Sequence, residues 1–521
     1  MTAVLRVLCD GGMTVRVLVE PDPITPDQLV AVARHGVGVG LSDDALRAIA
    51  ASRKVIEDLA SDPRAHYGIS TGFGALATKH IPREKRAALQ RSLIRSHAAG
   101  SGAEVETEVV RAMMLLRLST MATGRTGVRP ATAAAYAALL DAGLTPVVHE
   151  YGSLGCSGDL APLAHVALVV TGEGEVRDRE GRLRPAAEAL PAHGIAPLEL
   201  AEKEGLALIN GTDGMLGMLV LALADLDRLL RTADVAAAMS VEALLGTDAV
   251  FAEDLQALRP HPGQAASAAN LRLLLADSGV MASHREPNRC TRVQDAYSLR
   301  CSPQVHGAAR DTVAHAKAVA ARELASAIDN PVVTPDGRVV SNGNFHGAPV
   351  GYVLDFLAIA VADVAGISER RLDRLCDPAR NHGLPPFLAD DPGVDSGQMI
   401  AQYTAAGVVS ELKRLAVPAS VDCIPSSAMQ EDHVSMGWHA ARKLRRALDG
   451  LTRVLAVEVL TAARALDLRA PLAAAPATGS VRDAVRAAGV AGPGPDRYLA
   501  PEIEAVVGLI RDGSLLPAGL G

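Results

Sequence analysis

The stretch Gly152-Ser153-Leu154-Gly155-Cys156-Ser157-Gly158-Asp159-Leu160-Ala161-Pro162-Leu163 gathers a thiol, two hydroxyls and a carboxylate among three glycines. By residue type alone it reads as a glycine-rich turn opening a helix, with Ser157 or Asp159 as its cap. The G-x-S-x-G spacing of a serine nucleophile elbow is absent, since Gly155-Cys156-Ser157-Gly158 is one residue short of it. There is no G-x-x-x-x-G-K-[ST] phosphate loop and no H-E-x-x-H zinc pair. Gly36, Gly38 and Gly40 alternate without a preceding strand, a poor dinucleotide fingerprint, and the fifteen histidines form no ligand spacing. Neither a metal nor a nucleotide cofactor is expected.

The whole stretch resembles the signature of the aromatic amino acid ammonia-lyase family, whose members cyclise an internal X-Ser-Gly into a methylidene-imidazolone (MIO). Further blocks match in family order across about residues 60–470: Tyr67-Gly68-Ile69-Ser70-Thr71-Gly72-Phe73-Gly74, Ser96-His97-Ala98-Ala99-Gly100, Leu208-Ile209-Asn210-Gly211-Thr212, and the run Val293 to Cys301. Asp329-Asn330-Pro331, Gly343-Asn344-Phe345-His346 and Gln430 to Met436 complete the set. The resemblance implies a ring closed by the Gly158 nitrogen on the carbonyl of Cys156, with loss of the Ser157 hydroxyl as water. Glycine suits the attacking position because it lacks a Cβ, and flanking Gly152 and Gly155 permit a tight backbone. Cys156 supplies its carbonyl; most relatives carry alanine there, and cysteine leaves the cyclisation chemistry intact.

The same resemblance distributes roles. Tyr67 is the candidate base for the β-proton, a phenol that ordinarily titrates near pH ~10, and Glu431 is the alternative participant in proton transfer. Arg300 matches the clamp for the substrate carboxylate, where a guanidinium fork suits two oxygens. Asn210 corresponds to the residue that hydrogen-bonds the prosthetic group. Tyr297 and Gln294 match positions near the amine, and Phe345 matches a pocket wall. His97 and Met399 correspond to residues at the side-chain end of the substrate. Phenylalanine- and tyrosine-directed members carry glutamine where this chain has Glu431, and histidine-directed members carry glutamate. A carboxylate accepts from an imidazole N–H but gains nothing from a phenyl ring. Met429 replaces an asparagine common in the family. The expected activity is therefore deamination of L-histidine to trans-urocanate and ammonia. A tyrosine or phenylalanine lyase, an aminomutase, and a degenerate non-catalytic relative are the alternatives.

The elements that must position these groups read as mainly helical. Leu444, Leu448, Leu451, Leu455, Val459, Ala462 and Leu466 recur at steps of three and four, one helical face sustained over several turns. Val109, Met113 and Leu116 repeat that spacing after Glu104, Glu106 and Glu108, which suit a helix start. Asn210-Gly211-Thr212-Asp213 signals the start of another helix, and the stretch from Tyr352 to Ile367 is apolar nearly all round. Strands are expected only at Val15 to Val19 and around Arg338 to Val340. The expected fold is mainly α, a long central helical bundle with a loop-rich N-terminal part bearing the MIO. The expected domains are residues 1–214, 215–470 and 471–521. The resemblance further implies a homotetramer whose active sites are shared between subunits.

With 521 residues, 49% hydrophobic and 21% charged, the chain has a globular composition and ample core material. A net charge of −8 offers no basic face for nucleic acid. No segment is expected to cross a membrane, the longest tempting run being Met215 to Ala224, and no signal peptide is expected at the N-terminus. Residues 1–12 read as an extension ahead of Met13. The six cysteines Cys9, Cys156, Cys290, Cys301, Cys376 and Cys423 form no C-x-x-C pair, so reduced thiols and a cytoplasmic location are expected.

Overall fold

A computed structural model describes residues 15–72, 78–285, 290 and 292–521. Cys9, Met13, Phe73 and Gly74 lie outside the described residues. The chain is dominated by helices, the longest being Asp213–Ala243, Ala348–Cys376 and Gly437–Leu468. It forms two compact units: one of residues 1–221, 317–354 and 418–442, the other of residues 222–316, 355–417 and 443–521.

In the first unit, Arg16–Val19 pairs in parallel with Gly38–Leu41 across the helix Pro26–His35. A capping box between Thr25 and Gln28 starts that helix, and Gly36 ends it in the left-handed conformation. Gly38 and Gly40 thus lie within a strand. The helix Thr107–Ala122 is buried from Val109 to its end, because it threads the core rather than covering it. Short antiparallel pairs, Ser101–Glu104 with His149–Tyr151 and Val332–Val333 with Val339–Val340, fold loops back on themselves. The second pair brackets the Pro335-Asp336-Gly337 turn.

The second unit is a helical bundle joined by one carboxylate. Glu458, on Gly437–Leu468, is fully buried. Its Oε1 accepts from Arg371 Nε at 2.5 Å and from the Ser240 hydroxyl at 2.7 Å. Its Oε2 accepts from Arg371 Nη2 at 2.9 Å and from the Ser368 hydroxyl. Three long helices therefore meet on a single saturated anion, so burial leaves no lone pair unused. Around it, Leu444, Leu451, Leu455, Val459 and Ala462 are all fully buried, the face set by their spacing.

Ala348–Cys376 corrects one expectation: it is long and apolar enough to cross a membrane by length and composition, with a mean hydropathy of 1.9 over its most apolar window. Just over half of that window, 56%, is buried within the fold. The helix also carries Asp355, paired with Lys443 at 2.5 Å, together with the buried Ser368, Glu369 and Arg371. Charges satisfied inside the protein mark a core helix.

Replacing Glu458 with alanine leaves Arg371 buried without its counter-ion. Urea unfolding should show a loss of about 3–5 kcal/mol, far above the effect of an exposed ion pair.

Candidate active site

The loop at residues 152–159 leaves the strand His149–Tyr151 and enters the helix Leu160–Val170. Asp159 fixes its end. The carboxylate is fully buried; Oδ1 accepts from the Ser153 hydroxyl at 2.9 Å. Oδ2 accepts from the backbone N–H groups of Gly214 and Met215 at 3.0 and 2.9 Å, the first turn of Asp213–Ala243. Two otherwise unsatisfied N–H donors and the positive end of a helix dipole thus converge on it. Burial nonetheless outweighs these donors and pushes the carboxyl up to about 7. Ser435 clasps the middle of the loop, its hydroxyl donating to Gly155 O at 2.9 Å.

Gly158 has φ +81°, and its backbone lies so close to Gly211 that a Cβ would stand 2.0 Å from Gly211 O. Asp159 N donates to the same carbonyl at 2.7 Å. No residue with a side chain fits here, and this is the position whose nitrogen must be unhindered for ring closure. Ser157 donates its hydroxyl to Asn210 Oδ1 at 2.5 Å, and Asn210 Nδ2 donates to Asn330 O at 2.7 Å. The tripeptide therefore fits the group that the family signature implies: the nucleophile is bare and the hydroxyl to be lost is held by an amide.

Asn210 stands on a buried charge network. Arg117, fully buried, donates from Nη1 to Asn210 O at 2.6 Å and from Nη2 to Ile328 O at 2.7 Å. Lys203 and Asp329, both fully buried, pair at 2.5 Å beside it. Tyr67 belongs to a turn on the same platform: a Cβ on Gly68 would meet Leu206 at 3.1 Å and Pro331 at 3.2 Å. Ile69 anchors the turn in a cluster with Ile56 and Val333.

His97 and Glu431 complete this side. His97 Nδ1 lies 2.9 Å from Leu93 O, so the neutral ring keeps its proton there and presents Nε2 as an acceptor. Burial lowers the His97 pKa, while the charge of Glu431 partly restores it. Glu431 pairs backbone to backbone with Ser426 and accepts the Ser426 hydroxyl at 2.9 Å. Between them Ser427, Ala428 and Met429 all have positive φ. Phe345 is half-buried, and the ring of its neighbour His346 stacks on His433 at 5.6 Å, tying the Phe345 segment to the Glu431 segment.

Tyr67, His97, Cys156-Ser157-Gly158, Asn210, Phe345 and Glu431 all belong to the first unit. Gln294, Tyr297, Arg300 and Met399 lie in the second unit. Tyr297 is 70% exposed, and the Arg300 guanidinium lies 4.6 Å from its ring centre. Arg300 Nε is buried with no hydrogen-bond partner among the described residues. Their short helix, Tyr297–Arg300, is braced by Arg371, which reaches Ser298 O and Ser302 Oγ at 3.4 and 3.3 Å. Gln294 is exposed, and Met399 opens the helix Met399–Leu415. Asp159, Arg117 and Ser435 were not expected as site residues. Asp159 and Ser435 lie in blocks that carry the resemblance, and Asp159, expected as a cap of Leu160–Val170, makes no capping bond to that helix with its side chain.

Comparison with known proteins gives the family of the chain. The profile of the aromatic amino acid lyase family matches residues 24–487, and the chain belongs to that family. It is 64% identical over 502 residues to the histidine ammonia-lyase of Streptomyces coelicolor, covering 96% of this chain and 98% of that protein. Among solved structures, the histidine ammonia-lyase of Trypanosoma cruzi superposes with a TM-score of 0.87 at 40% identity, over 96% of this chain and 94% of that one. The tyrosine aminomutase of Streptomyces globisporus gives a TM-score of 0.91 at 37% identity, over 96% and 98%.

The folded Asp159 holds its proton more tightly than an aspartate at the usual 3.8. The stability from that proton is complete below about pH 4 and is lost as pH rises to about 7. Asp159→Asn abolishes the titration, so the stability margin of wild type over Asp159→Asn should shrink between pH 4 and 7 and level off above, as read by urea unfolding.

Proposed function

We propose that this chain removes ammonia from L-histidine to give trans-urocanate, using an MIO formed from Cys156-Ser157-Gly158. The observation that carries the substrate is Glu431, a carboxylate whose charge acts on His97 in the same unit as the tripeptide. It accepts from an imidazole N–H and favours the cationic ring. The 64% identity to a histidine ammonia-lyase supports the same reading.

When formed, the MIO supplies an electrophile that makes the substrate nitrogen a better leaving group. Before that, Asn210 orients the Ser157 hydroxyl that leaves as one water, and the Gly158 nitrogen closes on the Cys156 carbonyl, whose oxygen leaves as a second. Arg300 binds the substrate carboxylate, its guanidinium already stacked on Tyr297 and its Nε free of internal bonds. Gln294 and Tyr297 line the amine side, and Phe345 and Met399 wall the ring. Tyr67 takes the β-proton. The β C–H and Cα–N bonds break, a Cα=Cβ bond forms, and ammonia departs.

In this reading Tyr297, Arg300, Gln294 and Met399 reach the site from neighbouring subunits of a homotetramer. Support comes from Ala348–Cys376, whose Tyr352, Phe356 and Ile359 recur at helical spacing yet are 60%, 48% and 46% exposed. The described cysteines, Cys156, Cys290, Cys301, Cys376 and Cys423, are all free thiols, in keeping with the cytoplasm.

Offered histidine, tyrosine and phenylalanine separately, the enzyme should produce only urocanate, followed by its ultraviolet absorbance. Coumarate from tyrosine without urocanate from histidine would overturn the proposal, and a β-amino acid product would assign an aminomutase. Ser157→Ala should remain folded and lose turnover. Glu431→Gln should lower kcat/KM for histidine about 10- to 100-fold, the worth of one charged hydrogen bond.

A further inference from the structure

Residues 427–430 form an exposed loop in which Ser427, Ala428 and Met429 all have positive φ. The two residues that close this loop, Ser426 and Glu431, are half-buried. They face each other as an antiparallel bridge, Ser426 N donating to Glu431 O at 2.9 Å and Glu431 N to Ser426 O at 3.3 Å. A third bond joins the side chains, the Ser426 hydroxyl donating to Glu431 Oε2 at 2.9 Å.

That hydroxyl has another use open to it. Ser426 stands at the N-cap of the short helix Ser427–Met429 in extended backbone, φ −138°, where a serine oxygen ordinarily accepts from a backbone N–H two or three residues on. Ser426 makes no such bond. Its hydroxyl goes to the carboxylate instead.

Beyond the bridge, the two segments are fixed to the tripeptide loop. Val434 N donates to Cys423 Sγ at 3.3 Å, and Met436 N donates to Leu154 O at 2.9 Å. Val434 and Met436 also pack with Cys156 in one buried cluster. The backbone of Glu431 is thereby registered against Cys156-Ser157-Gly158, and the Ser426 hydroxyl holds the side chain. A glutamate without that donor keeps its rotamer freedom, which binding a ligand must then remove.

We propose that Ser426 is a positioning residue for Glu431: its hydroxyl fixes Oε2 and turns the carboxylate to accept the imidazole N–H of the substrate. Ser426 then sets how sharply the site separates an imidazole from a phenyl ring, without touching either. A carboxylate oriented in advance binds more tightly because binding no longer has to order it. A phenyl ring offers it no N–H, so only the imidazole ligand feels the difference. This rests on the histidine-directed function proposed above.

Ser426→Thr and Ser426→Val test it as a matched pair, alike in shape and differing by one hydroxyl, with Ser426→Ala beside them. Extended backbone suits both β-branched residues. Turnover is normalised to the near-ultraviolet absorbance of the prosthetic group, and inhibition by trans-urocanate is compared with inhibition by trans-cinnamate. The valine and alanine variants should raise KM for histidine and the urocanate inhibition constant about 3- to 10-fold, the worth of one ordinary hydrogen bond. Inhibition by cinnamate should stay unchanged, and Ser426→Thr should keep wild-type values for both ligands. Equal weakening of urocanate and cinnamate, or threonine no better than valine, overturns the proposal.

A double-mutant comparison isolates the bond. Urocanate binding, followed by calorimetry, should weaken in Ser426→Ala and weaken no further when Ser426→Ala is added to Glu431→Ala. Losses that add overturn the contact. Wild-type enzyme that neither turns over histidine nor binds urocanate overturns the proposed function and this inference with it. Wild-type enzyme that does both, with valine equal to threonine, overturns the inference alone.

Discussion

Everything at this site depends on the meeting of two backbones, at Gly158 and Gly211, closer than any side chain allows. That approach is possible because Asp159 binds the first turn of Asp213–Ala243 through two N–H groups while its own N–H bonds Gly211 O. A buried carboxylate is costly on its own. Here it is satisfied by the donors that a helix start leaves unpaired, and in return it fixes the tripeptide to the longest rigid element nearby. The reactive loop inherits the stiffness of a helix of 31 residues.

A second layer carries this order outward. Arg117 links the carbonyls of Asn210 and Ile328, and Lys203 neutralises Asp329 beneath them. The amide that holds Ser157 is thus fixed from behind by groups that touch no substrate. In the second unit Glu458 plays the matching part: it gathers three helices, and Arg371 extends from it to the turn that carries Tyr297 and Arg300. Both units brace candidate site residues with buried ion pairs rather than with loops alone, and such pairs favour one geometry over near alternatives.

The long helices were legible because a face repeating every three or four residues over about six turns has no other explanation, as in Leu444 to Leu466. Among the short strands, Arg16–Val19 and Val339–Val340 fall where they were expected, and the others do not. Val332–Val333 and Thr145–Pro146 are two residues each, too brief for an alternating pattern, and exist because tertiary contacts fold those loops back. Gly38 and Gly40 misled in the same way, since a glycine-rich strand with a parallel partner has a loop's composition. Within the site, Tyr67, Asn210 and Glu431 were singled out by family resemblance, and all three fall in the first unit. The bonds of Asp159 to Gly214 and Met215 were not legible, because these partners lie far along the chain. Arg117 gave no signal, as an arginine within an apolar helix looks like any snorkelling residue until its carbonyl partners are known.

The two layers also divide the labour between what the molecule can change and what it cannot. The tripeptide Cys156-Ser157-Gly158 is largely buried and shaped around a glycine that admits no replacement. Glu431 sits instead on a strained, largely exposed loop at residues 426–431, secured mainly by its ends. Substitutions there leave the folding of the framework undisturbed, so the molecule separates a loop open to change from a core that is closed to it.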